Sequence, residues 1–119
     1  MTYEYEETVG KDETFNVRKP GVTINQMRNL KQSKHHYTVD LHGLNVREAI
    51  VILEQAIKSD LKVFKVIHGK GQHSQHQIPI LKNMVFKTLS LHPRVIAFCS
   101  AKLNDGGVGA TYVLLKGEN

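Results

Sequence analysis

The sequence predicts an α/β domain in which strands and helices alternate before the chain closes with a hairpin. Two short runs rich in β-branched and aromatic residues, 37–41 and 61–68, are each followed by apolar residues at helical spacing. The last two apolar runs, 94–101 and 108–116, are joined only by KLNDGG, which is typical of an antiparallel hairpin. Because helical crossovers join parallel strands, we expect a β-α-β-α-β-β order and a two-layer sandwich with a mixed four-stranded sheet.

The N-terminal part of the chain lacks this alternation. Residues 1–21 show no helical or strand period and end at Pro20-Gly21, which predicts a flexible arm. The basic stretch 22–34 predicts a short helix docked at the domain edge, with three apolar residues at helical spacing: Ile24, Met27 and Leu30. The expected organisation has three parts: an acidic arm at 1–21, a basic helical extension at 22–36 and the folded domain at 37–119.

Both helices of the folded domain have recognisable start signals. Asn45 can cap the first helix, and Glu48 three residues later completes a capping-box-like pair. Pro79 is well suited to the first turn of the second helix. The apolar residues expected to face the sheet recur at helical spacing: Ala49, Ile50, Leu53, Ala56 and Ile57 in the first helix, and Ile80, Leu81, Met84, Val85 and Leu89 in the second.

Charge is divided unevenly along the chain. Residues 1–14 hold five acids and one base, a net −4, whereas residues 15–119 hold fifteen bases and six acids, a net +9. A basic domain attracts polyanions, usually nucleic acid, although basicity can also serve solubility alone. No run approaches the roughly 20 apolar residues of a membrane span, and the acidic N-terminus is unlike a signal peptide. The single Cys99 excludes an internal disulfide and a cysteine-based zinc site, and its apolar surroundings favour burial in a reducing cytoplasm.

The first predicted strand ends in the stretch DLHG, residues 40–43. Asp40 and His42 share one face of a regular strand, and a carboxylate beside an imidazole can fix its tautomer. In isolation a structural role is favoured, in which Asp40 caps a backbone amide and His42 lies in a turn.

A second His-Gly pair ends the next strand and continues as HGKG, residues 68–71. Glycines on both sides of Lys70 can expose backbone amides and positive charge to a phosphate, although a plain glycine turn is equally compatible. The spacing matches neither a P-loop nor a dinucleotide-binding fingerprint.

The stretches DLHG, HGKG and NDGG are expected to lie together at one edge of the sheet. If the first three strands run in the same direction, DLHG, HGKG and NDGG all lie at their carboxyl ends, where ligands bind in α/β sheets. The closing turn adds three glycines that allow positive φ: Gly106, Gly107 and Gly109. Four further histidines are expected at the surface rather than as zinc ligands: His35, His36, His73 and His76.

This set of side chains suits acid–base catalysis better than a two-metal site. Two-metal cleavage needs several carboxylates, and the edge offers only Asp40 and Asp105. RNA supplies its own nucleophile in the 2′-hydroxyl, so a histidine base and a cationic phosphate clamp are sufficient. DNA would require an activated water. If the domain cleaves nucleic acid, the residues therefore favour RNA.

In this order and spacing, the motifs resemble the Smr (small MutS-related) domain. DLHG alone is a weak signal, whereas DLHG, HGKG and GGVGATYVLL together are specific. The resemblance covers about residues 21–116 and includes four stretches: VDLHGLNVREA (39–49), VIHGKGQHS (66–74), IPILKNMV (78–85) and FCSAKLNDGGVGATYVLLK (98–116). The upstream stretch GVTINQMRNLKQSK resembles the extension of stand-alone bacterial Smr proteins.

The resemblance implies a fold, an activity and a set of site residues. The family fold is similar to the C-terminal domain of a bacterial translation initiation factor and agrees with the predicted element order. Family members bind nucleic acid, and several are endonucleases that nick DNA or cleave mRNA at stalled ribosomes. The residues implied are Asp40, His42 and His68 for catalysis, and Gly43, Gly69, Lys70, Gly71, Gly106, Gly107 and Gly109 for binding phosphate or nucleic acid.

We therefore expect a cytoplasmic, monomeric endonuclease that acts on RNA, including mRNA on stalled ribosomes. His42 is the expected general acid or base, oriented by Asp40, with His68 as the second candidate. Lys70 and the amides of Gly69 and Gly71 are expected to hold the scissile phosphate. No cofactor is expected, and a divalent metal is compatible but not required. Three alternatives stay open: a DNA-nicking endonuclease, a non-catalytic module that binds structured nucleic acid or ribosomes, and a basic surface that contacts only protein.

Overall fold

The computed structural model describes residues 8–34, 37–71 and 78–117. The elements within these ranges are β1 (Asn16–Arg18), α1 (Ile24–Gln32), β2 (Thr38–Asp40), α2 (Val46–Lys58), β3 (Val63–Ile67), α3 (Ile80–Leu91), β4 (Val95–Ser100) and β5 (Ala110–Leu115). Two short 3₁₀ turns, Leu103–Asp105 and Gly107–Gly109, connect β4 to β5. None of the helices in this part of the chain is long and apolar enough to cross a membrane.

The strands form one mixed sheet in the order β1-β4-β5-β3-β2. β2 and β3 are parallel, and β5 pairs antiparallel with both β3 and β4. β4 therefore runs in the same direction as β2 and β3, although β5 separates it from β3. The predicted α/β fold with a mixed sheet is confirmed. We call the side of the sheet where β2, β3 and β4 end, and where β5 begins, the carboxyl edge.

β1 is a fifth strand that the periodicity did not indicate. It pairs antiparallel with β4, where Val17 lies opposite Phe98, and it belongs to the segment predicted to be a flexible arm. A three-residue strand is too short to produce a recognisable alternation, which explains why the sequence predicted four strands. The division of the chain at residues 21 and 36 stays a prediction.

Two hydrophobic clusters cover the two faces of the sheet. α2 and α3 pack on one face, where Leu53 and Phe64 are fully buried. α1 packs on the other face against β4 and β5, in a cluster that contains Met27, Leu30 and Tyr112. Burial of each large apolar side chain contributes about 1.5–3 kcal/mol. α1 therefore lies against the sheet itself rather than at the edge of the domain.

The apolar faces of the helices follow the predicted spacing only in part. α2 buries four of the five residues expected of it, including Ala49 and Ile57, whereas Ile50 is only half-buried. Cys99 in β4 is buried as predicted. In α3 the expected core position of Ile80 is wrong, because this side chain is 65% exposed while Lys82 is only 1% exposed. The core face of α3 is thus rotated towards Lys82.

The helix starts also differ from one another. The capping box of Asn45 and Glu48 is confirmed, and Thr23 with Gln26 forms a second one at α1. α3 instead begins after Pro79, with no side-chain cap and no acidic residue in its first turn.

Candidate active site

The DLHG and HGKG stretches lie side by side at the carboxyl edge. The N–H of Leu41 donates to the carbonyl of Ile67 at 2.7 Å, which extends the β2–β3 pairing beyond the last residue of β2. A Cβ added to Gly69 would lie 3.6 Å from the Cβ of His42. The end of one motif therefore contacts the start of the other.

The HGKG loop is tied in turn to the closing turn through Gly109. The carbonyl of Gly109 accepts hydrogen bonds from the N–H of His68 at 3.1 Å and from the N–H of Gly69 at 3.0 Å. A Cβ on Gly109 would lie 3.1 Å from the Cγ of Lys70 and 3.3 Å from the carbonyl carbon of Gly69, so a larger residue would crowd the loop. The N–H of Gly69 therefore donates inside the protein. The expectation that this amide is directed at a phosphate does not hold in this structure.

Asp40 and His42 form an acid–imidazole pair at the mouth of a cleft. Oδ1 of Asp40 lies 2.5 Å from Nδ1 of His42 and 3.1 Å from the backbone nitrogen of the same residue. Asp40 therefore caps the turn and orients the ring at once, so the structural role and the functional role are compatible. The hydrogen bond from His42 lowers the pKa of Asp40, while desolvation opposes it, so the carboxylate is charged at neutral pH.

The same contact determines which nitrogen of His42 faces solvent. A carboxylate can only accept a hydrogen bond, so Nδ1 carries the proton and Nε2 of the neutral ring is an acceptor. The His42 side chain is 67% exposed. The arrangement presents an oriented imidazole to whatever enters the cleft.

His68 lies behind this surface and is only 4% exposed. Its Nδ1 lies 2.9 Å from the carbonyl oxygen of Gly69, and its Nε2 lies 2.9 Å from Oγ1 of Thr111. Burial lowers the pKa of His68 to about 4, opposed by the hydrogen bond to Gly69 and assisted by the charge of Lys82. His68 is thus neutral at pH 7, donating through Nδ1 and accepting through Nε2. This geometry suits a residue that holds the loop better than one that exchanges protons with a ligand.

A cleft of about 550 Å³ opens in front of these motifs. Its lining comes from DLHG, HGKG and the start of α3: His42, Gly43, His68, Gly69, Lys70, Gly71, Pro79, Ile80, Leu81 and Lys82. Lys70 is exposed there. Gly71, with a φ of 73°, lies so close to Pro79 that an added Cβ would approach the Cβ of Pro79 to 2.6 Å. The HGKG loop is therefore fixed at its far end to the beginning of α3.

The start of α3 is a feature of the cleft that the motifs did not indicate. Ile80, Leu81 and Lys82 form its first turn, whose N–H groups have no acceptor within the helix. With no side-chain cap and no first-turn carboxylate, the positive end of the helix dipole is available to an anion. The sequence did contain a signal for this uncapped helix start, because Pro79 precedes the helix where a Ser, Thr, Asp or Asn cap would otherwise lie.

Buried Lys82 explains the rotated face of α3, because its ammonium group holds the N-terminal segment. Nζ donates to the carbonyls of Gly10 at 2.9 Å, Lys11 at 3.2 Å and Glu13 at 2.5 Å. Burial lowers the pKa of Lys82, opposed by the acidic side chains of Glu13 and Asp12. The three carbonyls satisfy the three protons of the ammonium, and the segment is anchored beside the cleft.

The other residues predicted for the site are the glycines of the turns and the surface histidines. Gly43, Gly106 and Gly107 adopt positive φ values of 82°, 115° and 54°, as glycine turns require. Among residues 8–34, 37–71 and 78–117, no three His, Cys, Asp or Glu side chains are grouped closely enough to hold a metal ion. The surface histidines predicted at positions 35, 36, 73 and 76 lie outside the described residues.

Comparison with known proteins identifies the family. The model of the Smr domain family matches residues 39–116. This chain belongs to the Smr family. The crystal structure of YdaL, a stand-alone small MutS-related protein from Escherichia coli, matches this Smr protein with a TM-score of 0.77 at 26% identity, covering 97% of this chain and 92% of YdaL. The Smr domain of Thermus thermophilus MutS2 matches with a TM-score of 0.59 at 32% identity, covering 67% of this chain and 98% of that domain.

Sequence relatives of this Smr protein carry two kinds of name. Ribosome rescue factor SmrB of Aliivibrio salmonicida is 30% identical over 118 residues, which cover 94% of this chain and 63% of SmrB. Probable DNA endonuclease SmrA of Escherichia coli (strain K12) is 25% identical over 122 residues, which cover 98% of this chain and 65% of SmrA. This chain thus spans less than two thirds of the length of either relative. The Smr family includes endonucleases, and the resemblance noted in the sequence is confirmed.

Proposed function

We propose that this Smr protein is an endonuclease that cleaves RNA by acid–base catalysis, with His42 as the residue that transfers the proton. The observation that carries the proposal is the Asp40–His42 pair, in which a charged carboxylate holds an exposed imidazole at the mouth of the cleft. An isolated surface histidine has no such fixed orientation.

In the proposed reaction, Nε2 of His42 accepts the proton of the RNA 2′-hydroxyl. The 2′-oxygen then attacks the adjacent phosphorus, the bond from phosphorus to the 5′-oxygen breaks, and the leaving oxygen takes a proton from solvent. The products are a 2′,3′-cyclic phosphate and a 5′-hydroxyl. Asp40 stabilises the imidazolium formed when His42 is protonated. General base catalysis of this kind contributes about 10²–10⁴-fold to the rate.

In this proposal the phosphate is held by Lys70 and the start of α3, which line the same cleft as His42. Lys70 supplies a positive charge, and the first-turn amides of α3 supply donors together with the positive end of the helix dipole. His68 acts as a positioning residue, because its bonds to Thr111 and Gly69 fix the loop that carries Lys70.

The names of the relatives support this reaction class and suggest its setting. One relative is a ribosome rescue factor and another is a probable DNA endonuclease. We therefore propose mRNA on ribosomes in the cytoplasm as the physiological substrate. DNA is the second substrate to test, because of the name of SmrA.

The test compares single-turnover cleavage by the wild type and by His42→Ala, on RNA and on DNA of the same sequence. We expect His42→Ala to lower the rate on RNA by about 10²–10⁴-fold while RNA affinity is retained. His92→Ala is the matched control, since His92 directly follows α3, at the edge of the sheet opposite the carboxyl edge. Asp40→Asn keeps the shape of the pair but removes the charge, and should give a smaller loss.

Each reaction is repeated with EDTA. Unchanged cleavage by His42→Ala would remove His42 from the mechanism, and loss of cleavage in EDTA would contradict catalysis without metal. Salt-sensitive binding with no product on either substrate would instead identify a non-catalytic module.

A further inference from the structure

A second groove lies between α1 and β1, away from the cleft. Its volume is about 480 Å³. Three of the residues that line it are cationic, Arg18, Arg28 and Lys31, and two carry amide side chains, Asn16 and Gln32. None of the described residues that line the groove is a carboxylate. The groove is therefore a concave surface that combines positive charge and hydrogen-bond donors with the side chains of Ile24, Met27 and Cys99.

The three cations are held in place by uncharged oxygens. Their partners are the carbonyl of Val22 for Arg18 (2.7 Å), the side-chain amide of Asn25 for Arg28 (2.7 Å) and the carbonyl of Ser100 for Lys31 (2.9 Å). The ion pairs found within the described ranges join Asp40 to His42 and Lys65 to Asp105, so neither neutralises the groove. Its positive charge is thus available to a ligand.

The hydrogen bond of Lys31 shows where the groove lies relative to the cleft. Ser100 is the last residue of β4, so Lys31 reaches the carboxyl edge, and Asn16 begins β1 at the same edge opposite Cys99. His42 follows β2, which lies four strand spacings from β1 in the sheet order. At about 4.8 Å per spacing the separation along the sheet is roughly 19 Å. Because α1 and α3 cover opposite faces of the sheet, a strand that contacts both sites also has to pass over the carboxyl edge. An extended nucleic acid strand of several nucleotides is long enough to contact both.

We propose that this groove, which we call the α1 groove, binds the phosphate backbone of the RNA that flanks the cleavage site. The inference rests on the proposed function, because it takes the cleft as the place where the strand is cut. RNA is favoured over an acidic protein because the groove and the cleft reach one edge, so a single polyanion can be held by both. Phosphate contacts fix the position of a strand without reading its sequence.

The test measures how RNA affinity depends on salt in a variant of the groove. Arg28→Gln with Lys31→Gln removes two charges from the α1 groove. Lys58→Gln with Lys62→Gln removes two charges at the opposite side of the sheet, where α2 ends and β3 begins, and is the matched control. Both pairs are placed in a His42→Ala background so that RNA remains whole, and thermal unfolding verifies that each variant folds.

For an RNA long enough to reach the groove, log affinity falls as log salt rises, and this negative slope should become less steep by about 1.4 in the groove variant, since each phosphate contact with a single strand contributes about 0.7 to its magnitude. The control pair should leave the slope unchanged. With an RNA so short that it fills only the cleft, both variants should match the parent.

The outcomes separate this proposal from the proposed function. Equal slopes for the groove variant and the control on the long RNA would overturn the α1 groove and leave the cleavage proposal standing. Absence of RNA binding by the parent would overturn both. If the groove variant lost binding to polyglutamate but kept its RNA slope, the groove would belong to an acidic protein and the proposal would be wrong.

Discussion

Replacement of Gly71 by alanine tests the contact that fixes the HGKG loop to the start of α3. Gly71 has a φ of 73°, and an added Cβ would lie 2.6 Å from the Cβ of Pro79 and 3.4 Å from its Cα. Pro79 is rigid and precedes a helix, so neither partner can move away as the end of a long side chain does. Either the loop or the start of α3 has to shift.

Alanine substitutions at two other glycines serve as controls that distinguish the steric clash at Gly71 from the backbone strain of a positive φ. Gly21 and Gly43 have φ values of 94° and 82°, but an added Cβ would meet nothing within 4 Å. Alanine at each of the three positions incurs about 1–2 kcal/mol for the left-handed backbone and recovers about 0.4–1 kcal/mol from the unfolded state. These contributions cancel between variants. The difference that remains for Gly71→Ala is the cost of overpacking, about 1–3 kcal/mol.

Urea denaturation measures this difference. We expect the free energy of unfolding of Gly71→Ala to lie about 1–3 kcal/mol below the values for Gly21→Ala and Gly43→Ala. Since the loop carries Lys70, RNA cleavage by Gly71→Ala should also fall. A free energy of unfolding for Gly71→Ala equal to those of the two controls would refute the contact between the loop and α3.

Three further predictions concern the buried polar groups. Between pH 6.5 and pH 4 His68 binds a proton in the unfolded chain but not in the folded protein. The free energy of unfolding should therefore fall by about 3 kcal/mol as the pH falls through this range. Urea titrations of His68→Gln over the same range should lack that contribution. Thr111→Val leaves Nε2 of His68 buried without a donor and should lower the free energy of unfolding by about 1–3 kcal/mol, whereas Thr111→Ser, which keeps the hydroxyl, should lose less. Lys82→Met removes three charge-assisted hydrogen bonds, so it should lower the free energy of unfolding by about 3 kcal/mol and speed hydrogen exchange at residues 9–15. Lys58→Met is the control. Unchanged exchange in Lys82→Met would contradict the anchoring of the N-terminal segment by Lys82.

The features that could be predicted from the sequence are those with a local signal. The helical spacing of α2 and its Asn45–Glu48 capping box determine where that helix begins and which face it buries. The positions of DLHG and HGKG directly after strands were sufficient to place both at one edge once the strands ran in the same direction. The contact between His42 and Gly69 follows from that placement.

Other features depend on distant partners and have no such signal. The insertion of β5 between β3 and β4 is a matter of pairing order, which periodicity does not encode. The burial of Lys82 has no local signal, because the backbone carbonyls that satisfy it belong to residues 10, 11 and 13, far away in the chain. The N–H of Gly69 is likewise engaged by Gly109, forty residues later in the sequence.

The central claim is that His42 activates the 2′-hydroxyl of RNA in the cleft. The most direct measurement uses an RNA with one 2′-deoxynucleotide at the cleaved position and identifies the ends of the products. We predict that wild-type protein cuts the unmodified RNA to leave a 2′,3′-cyclic phosphate and a 5′-hydroxyl, and that the single 2′-deoxy substitution abolishes cleavage at that position. Cleavage of the substituted RNA at an unchanged rate would contradict the account, because water and not the 2′-hydroxyl would then be the nucleophile.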